Sequence, residues 1–115
     1  MTSEAALASV HPMVCQLYNQ ANQPVQDPMV IYARRGSKDY KISDDGAIVA
    51  IIWRWFDDPV EIHLEHNEHY PWSIPFGTKT IKKQTFRHQP DGNVNAVFPL
   101  DEVEQGLKLS CTTAL

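Results

Sequence analysis

Residues 43–66 read SDDGAIVAIIWRWFDDPVEIHLEH, and this stretch decides the fold. It opens with a turn signal, Ser43-Asp44-Asp45-Gly46, in which short polar side chains can accept hydrogen bonds from exposed amides and the glycine can adopt a positive φ. Residues 47–56 are almost continuously apolar, β-branched or aromatic, which predicts a central buried strand. Residues 60–66 alternate between apolar and polar, as is typical of a half-buried strand with one face in water.

The rest of the chain repeats this pattern of short apolar runs separated by turn residues. Further strands are predicted at 13–18, 29–34, 39–42, 78–88, 94–98 and 107–112, with a loop at 67–75. One short helical turn is predicted near 99–106, because Pro99 suits a first turn and Gly106 suits a stop. The sequence therefore predicts an all-β fold, a single antiparallel β-sandwich of about seven or eight short strands. Residues 1–12 are predicted to be a flexible N-terminal arm and residues 13–115 the sandwich domain.

Charge and hydropathy exclude two classes of partner. The 115 residues carry a formal net charge of −4, which argues against nucleic acid, since phosphate binding needs a basic surface. A local basic stretch, Lys79, Lys82, Lys83 and Arg87, is explained as a solvated strand face.

No apolar run is long enough to span a membrane, and residues 1–10 do not form a secretory signal. The expected location is cytoplasmic, or exported without a cleaved signal peptide.

Two cysteines, Cys15 and Cys111, lie near opposite ends of the chain. Two are too few for a disulfide framework, and the expected state in a cytosolic protein is two buried thiols on terminal strands. The alternative is a bridge that joins the first and last strands, closes most of the chain into one loop and requires an oxidising compartment.

Several short motifs resemble a known family. They are Asn22-Gln23-Pro24-Val25 before a strand, then Ser43-Asp44-Asp45-Gly46 before the apolar strand, and Val60-Glu61-Ile62-His63-Leu64 leading to Tyr70-Pro71. This order is similar to the transthyretin-like, or carboxypeptidase-regulatory-like, β-sandwich, and it extends over residues 15–71. The resemblance implies a transthyretin-like sandwich, with an immunoglobulin-like one as the related alternative. The chain departs from the family pattern at Asn22 or Gln23, where glycine is usual, and at Ser43, where threonine is usual.

The resemblance implies a binding role. The enzymatic branch of the family ends in Tyr-Arg-Gly-Ser, whereas this chain ends in Thr113-Ala114-Leu115, so the hydrolase activity is not carried over. Other members are accessory domains, including some attached to bacterial secretion spikes and their effectors. We therefore expect a non-catalytic protein-interaction module, such as an adaptor or effector-loading domain of a bacterial secretion system. Its partner is expected to be another protein, and its oligomeric state stays open.

Aromatic side chains are the candidate partner-binding residues. Tyr70 and Trp72 lie in the predicted loop, and Trp53 and Trp55 are two residues apart on one face of the predicted central strand. Such residues form protein-binding hot spots or, as an alternative function, platforms for sugar rings in a carbohydrate-binding module. The competing interpretation is that the tryptophans fill the core. Arg54, between two of them, is expected to mark a face that becomes exposed or to meet a carboxylate.

A third function is suggested by His63, His66 and His69, which are spaced three residues apart among glutamates. Imidazole and carboxylate groups are good ligands for zinc or copper, so a small His-rich metal-binding protein is the remaining alternative. The difficulty is that adjacent strand positions face opposite ways, so His66 is expected to point away from His63. No nucleophile elbow or glycine-rich phosphate loop is present, and no catalytic residues are predicted.

Overall fold

The computed structural model describes residues 12–32, 37–54, 59–69, 75–89 and 93–113. These form eight strands: β1 (Met13–Tyr18), β2 (Met29–Ile31), β3 (Ser37–Lys41), β4 (Ile48–Trp53), β5 (Val60–His69), β6 (Pro75–Phe86), β7 (Asn95–Pro99) and β8 (Lys108–Thr113). All neighbouring strands are antiparallel. Within the described ranges no helix is long and apolar enough to cross a bilayer.

The strands form two four-stranded sheets that pack face to face, so the predicted all-β sandwich is confirmed. Sheet A has the order β2-β1-β8-β7, and sheet B has the order β3-β4-β5-β6. Sheet B is a simple meander, whereas sheet A pairs the first strand with the last. The chain crosses between the sheets after β2 and again after β6.

The core follows from the alternation of side chains along each strand. In β1 the residues Met13, Cys15 and Leu17 are buried, and the residues between them lie on the outer face of sheet A. Ile52 of β4 and Phe98 of β7 are wholly buried on the facing surfaces. The central strands therefore bury one face each, and the second face of β4 is only half-buried.

Cys15 and Cys111 are directly opposed in β1 and β8, and their sulfur atoms are bonded. Both residues are completely buried, and 96 positions separate them in the chain. The expectation of two thiols is therefore wrong, and the alternative bridge between the first and last strands is the one present. Sheet A places these strands side by side, which the spacing in the sequence does not reveal.

The hairpin β5–β6 is longer than predicted. Asn67 pairs with Thr78, and His69 pairs with Pro75, so both strands extend into the region that the sequence suggested was a loop. Pro75 is compatible with this position because it is the first residue of a strand at the edge of the sheet. Conversely, β4 ends at Trp53, and residues 55–58 lie outside the described ranges.

The segment after β7 contains one helix-like turn and no helix. The amide of Glu104 donates to the carbonyl of Leu100 at 3.1 Å, a single bond of helical spacing. The carboxylate of Asp101 then accepts from the amide of Gly106 at 2.9 Å, and Gly106 has a φ of 79°. The chain then leads into β8. The turn predicted near 99–106 is therefore present from Leu100, one residue later than expected, and it does not continue into a helix.

Arg54 corrects a second expectation. It follows β4 on the core side of sheet B and is only 1% exposed. Its Nη1 donates to the carbonyl of Ile31 in sheet A at 2.8 Å, and within the described residues Nε and Nη2 have no hydrogen-bond partner. Burial lowers the pKa of the guanidinium, because the charged form loses its hydration. The residue neither marks an exposed face nor meets a described carboxylate.

Candidate interaction surfaces

β6 forms one edge of sheet B and is the longest strand. Within the described part of the chain it pairs with β5 alone, so alternate backbone amides and carbonyls along its other side have no strand to bind. Lys79 and Lys83 are exposed on this strand, and neither forms an ion pair with any described residue. Ile81, 40% exposed, is the extra residue where the pairing register shifts opposite Leu64 and Glu65.

Lys82 has a different role from its neighbours. Its Nζ donates to the carbonyl of Pro99, lies 3.0 Å from a carboxylate oxygen of Glu102, and sits 4.9 Å from the centre of the Phe98 ring. The hydrogen bond from Lys82 lowers the pKa of Glu102. These contacts join β6 to β7 across the sandwich, so Lys82 is a structural cation while Lys79 and Lys83 carry the basic charge of the edge.

The basic character continues beyond the end of β6. Arg87 is exposed there, and with Pro59, Thr85 and His88 it lines an open depression of ≈390 Å³. The long edge and this depression together form a basic surface on a chain whose net charge is −4. The sequence showed these cations, but their place at a sheet edge depends on strand order, which hydrophobic periodicity does not give.

The outer face of sheet B carries a row of ionisable side chains on β5. The His63 Nε2 lies 3.7 Å from a Glu61 oxygen, and its Nδ1 lies 3.7 Å from a Glu65 oxygen. The Thr80 hydroxyl lies 2.9 Å from both oxygens of Glu65, which is largely buried. The imidazole is therefore held between two carboxylates on opposite sides of its ring, an arrangement that orients His63 and leaves no common point where all three groups could meet one ion.

The predicted metal triad does not form on one face. His63 lies on the outer face of sheet B, whereas His66 follows the opposite alternation and pairs with Ile48 at the end of the strand. His69 belongs to β5, and its side chain lies outside the described residues. Among the side chains that the structure describes, no group of three histidines, cysteines or acids is placed to hold a metal ion.

The aromatic candidates divide into one that is described and three that are not. Trp53 is half-buried on the outer face of sheet B, with its ring centre 6.4 Å from that of His63. The interpretation that it fills the core is wrong, because residue 53 alternates with the core residues Ile52 and Arg54. Trp55, Tyr70 and Trp72 lie outside the described residues, and their role as partner-binding residues stays a prediction.

Comparisons with known proteins add no relative: no protein-family model matches the chain, and neither the curated proteins nor the solved structures contain a match.

Proposed function

We propose that this chain is a non-catalytic protein-interaction module that receives an extended, acidic segment of its partner along the edge of β6. The observation that carries the proposal is the length of this edge strand, Pro75–Phe86, which pairs on one side only among the described strands. A segment added there would gain main-chain hydrogen bonds, and the side chains beside them would provide selectivity. The alternative contact is the predicted loop that contains Tyr70 and Trp72.

The charges along the β6 edge favour an acidic partner segment. Lys79 and Lys83 would oppose acidic side chains of an added strand and repel a basic one. Lysines and a bulge also discourage indiscriminate pairing at sheet edges, and such protection is compatible with selective binding. The finer proposal, an adaptor or effector-loading domain of a bacterial secretion system with a transthyretin-like fold, is supported only by the motif resemblance in residues 15–71.

The disulfide supports one of the two expected cellular locations of the protein. A bridge between Cys15 and Cys111 persists in an oxidising compartment and is reduced in the cytosol of most cells. Of the two expected locations, we therefore favour the exported one. Blocking free thiols at the moment of lysis and measuring the mass of the intact protein in each cell fraction tests this: the bridged form should be found outside the cytoplasm.

Lys79 pairs with His66 and Lys83 pairs with His63, so the two lysines lie on opposite faces of sheet B. The edge is therefore tested with a synthetic peptide in which pairs of glutamates alternate with pairs of threonines, so that both faces of the added strand are acidic. Titrated into isotope-labelled protein, it should shift the amide resonances of β6 before those of the edge strand β2. The double variant Lys79→Glu with Lys83→Glu should weaken binding by roughly tenfold or more, because both attractive contacts become repulsive. The matched control is Lys41→Glu, which reverses an exposed cation on β3, the other edge of sheet B, and should leave the affinity unchanged.

Two results would refute the edge mode. One is a lysine–threonine peptide that binds as tightly as the glutamate–threonine peptide, and the other is resonance shifts that avoid β6. The loop mode has its own test: Tyr70→Ala and Trp72→Ala should release a partner if that loop makes the contact, and should leave the edge peptide bound.

A second function is favoured by the position of Trp53. A half-buried tryptophan on the outer face of a sheet, close to the polar side chains Glu61 and His63, has the character of a sugar-binding platform. A carbohydrate-binding module of this kind should show quenching or a spectral shift of tryptophan fluorescence with at least one member of a glycan panel, and Trp53→Phe should abolish that change. Flat fluorescence throughout the panel would eliminate this alternative.

A further inference from the structure

The outer face of sheet A is almost free of charge. Its side chains come from alternate positions of the four strands: Val30 of β2; Val14, Gln16 and Tyr18 of β1; Lys108, Ser110 and Thr112 of β8; and Asn95, Val97 and Pro99 of β7. Lys108 is the single charged residue among them. The corresponding outer face of sheet B carries Asp39, Lys41, Glu61, Glu65 and Lys83. The two faces of the sandwich therefore differ sharply in how water solvates them.

The long polar side chains of this face are held against the protein. The Gln16 amide nitrogen donates to the main-chain carbonyls of Gln26 and Leu17. The Lys108 ammonium donates to the side-chain oxygen of Asn22, whose left-handed backbone (φ 60°) directs it towards the sheet. These contacts hold the two longest polar side chains in place on a face where five of the ten residues are valine, serine or threonine.

Apolar side chains are exposed on this surface. Val30 is 38% exposed and Val97 is 48% exposed, on the two edge strands of sheet A. Tyr32, directly after β2, is 55% exposed. A depression of ≈250 Å³ lies towards the other end of the same face, lined by Tyr18, Val97 and Lys108 with two polar neighbours. The face thus carries both a projecting ring and a recess that a ring from another molecule can enter.

We propose that this face binds the same face of a second copy of the chain, forming a two-fold symmetric dimer with the sheets stacked. The distribution of charge over the chain favours a second copy as the partner of this face. At a net charge of −4, two copies repel each other through most orientations, whereas the outer face of sheet A brings a single charged side chain per copy, Lys108, into the interface. In a two-fold arrangement each Tyr32 approaches the recess of the other copy, and both contacts form at once.

The size of the face sets the strength of the dimer. The strands β2, β1, β8 and β7 are 3, 6, 6 and 5 residues long, so at about 3.3 Å per residue and about 4.8 Å between strands they present roughly 320 Å² per copy. This is less than half of what a stable complex buries on each partner, so we expect a weak dimer that forms only at high micromolar concentration or above. Stacking through sheet A leaves the β6 edge of each copy accessible. The dimer would therefore present two equivalent edges, and its existence does not depend on the proposed function of that edge.

Sedimentation equilibrium on the intact, oxidised chain tests the proposal from about 20 µM to about 1 mM, a range that brackets weak association. We expect a reversible monomer–dimer equilibrium whose dissociation constant rises at least roughly tenfold in Val97→Lys, because each added ammonium group would occupy the recess that Tyr32 of the other copy enters and would lose hydration there. The matched control is Ile81→Lys. Ile81 is exposed to a similar degree, at 40%, but lies on β6 of sheet B, so this change should leave the constant unaltered.

Amide resonances followed across the same concentrations provide a readout that needs no variant. Shifts should concentrate on Val14, Val30, Val97 and Thr112 and spare the outer face of sheet B. A chain that remains monomeric over the whole range would overturn the proposal. So would association that is lost in Ile81→Lys and retained in Val97→Lys, since that result would assign self-pairing to the β6 edge.

Discussion

Arg54 Nη1 lies 2.8 Å from the main-chain oxygen of Ile31, so the residue directly after β4 joins sheet B to the end of β2 in sheet A. The guanidinium is almost completely buried, and its other two nitrogen groups have no hydrogen-bond partner within the described residues. A buried cation with one neutral acceptor costs free energy that its attraction to that acceptor only partly offsets. The aliphatic part of the side chain, by contrast, contributes ordinary packing to the core.

Replacing Arg54 should therefore separate packing from charge. Arg54→Met keeps most of the volume and removes the desolvation cost, so we expect the free energy of unfolding to stay within about 1 kcal/mol of wild type. Arg54→Ala leaves a cavity and should lower it by about 2–4 kcal/mol. Urea denaturation of both variants measures these differences. If methionine is as damaging as alanine, the bond from the guanidinium to the Ile31 carbonyl contributes more than the desolvation of the charge costs.

The disulfide should be a major source of stability. A bridge over 96 positions restricts the unfolded chain strongly, and its loss should lower the free energy of unfolding by about 3–5 kcal/mol. We expect urea unfolding to move to a lower midpoint when the protein is unfolded and refolded in reductant. The double variant Cys15→Ala with Cys111→Ala should match the reduced protein and show no response to reductant. Equal stability of the reduced and oxidised forms would contradict this account.

The sequence was sufficient to predict the strands, because burial on one face leaves a period-two pattern that does not depend on strand order. The first strand was predicted at its observed bounds, Met13–Tyr18. The end of the β5–β6 hairpin was predicted as a loop, since its polar residues and prolines match loop composition. Cross-strand pairs such as Asn67 with Thr78 outweigh that local preference.

The candidate surfaces were only partly predictable. The basic residues near Lys83 were visible in the sequence, but the position of β6 at an edge follows from how the two sheets are assembled. The same reason explains the errors at Cys15 and Arg54: periodicity tells which face a side chain occupies and says nothing about what lies opposite. Trp53 shows the limit most clearly, because both faces of β4 are apolar and the pattern alone does not identify the inner one.

Alanine substitutions at Gly106 and Gly46 should separate the cost of backbone strain from the cost of a steric clash. Both have positive φ, 79° and 74°, so alanine at either position should cost about 1–2 kcal/mol. A Cβ at Gly106 would also lie 2.5 Å from the Cβ of Gln20, whereas at Gly46 the nearest atom is the Cδ of Lys41 at 3.8 Å. Gly106→Ala should therefore destabilise the protein by about 3 kcal/mol or more in urea unfolding, clearly beyond Gly46→Ala. Equal losses would mean that the loop around Gln20 moves aside without cost.

The turn before β4 should make stability depend on pH through Asp45. Its carboxylate accepts from the Ser43 hydroxyl at 2.6 Å and from the Ala47 amide at 2.9 Å, and these bonds lower the pKa of Asp45 in the folded protein. A carboxyl whose folded pKa lies below its unfolded value stabilises the fold above the unfolded pKa and loses that contribution as the pH falls through the folded one. Wild type should therefore melt at a higher temperature than Asp45→Asn near pH 7, and the gap should shrink below about pH 4.

Asp44→Asn is the control for this titration. Asp44 is exposed in the same turn and makes no side-chain hydrogen bond with any described residue, so its replacement changes the formal charge equally without removing a contact. Its melting temperature should stay parallel to that of wild type over the same pH range. A constant gap between wild type and Asp45→Asn from pH 7 to about pH 3 would mean that the two hydrogen bonds do not favour the ionised carboxylate. The turn would then depend on Gly46 and the Ser43 hydroxyl, which accepts from the Ile48 amide at 2.9 Å, to start the strand.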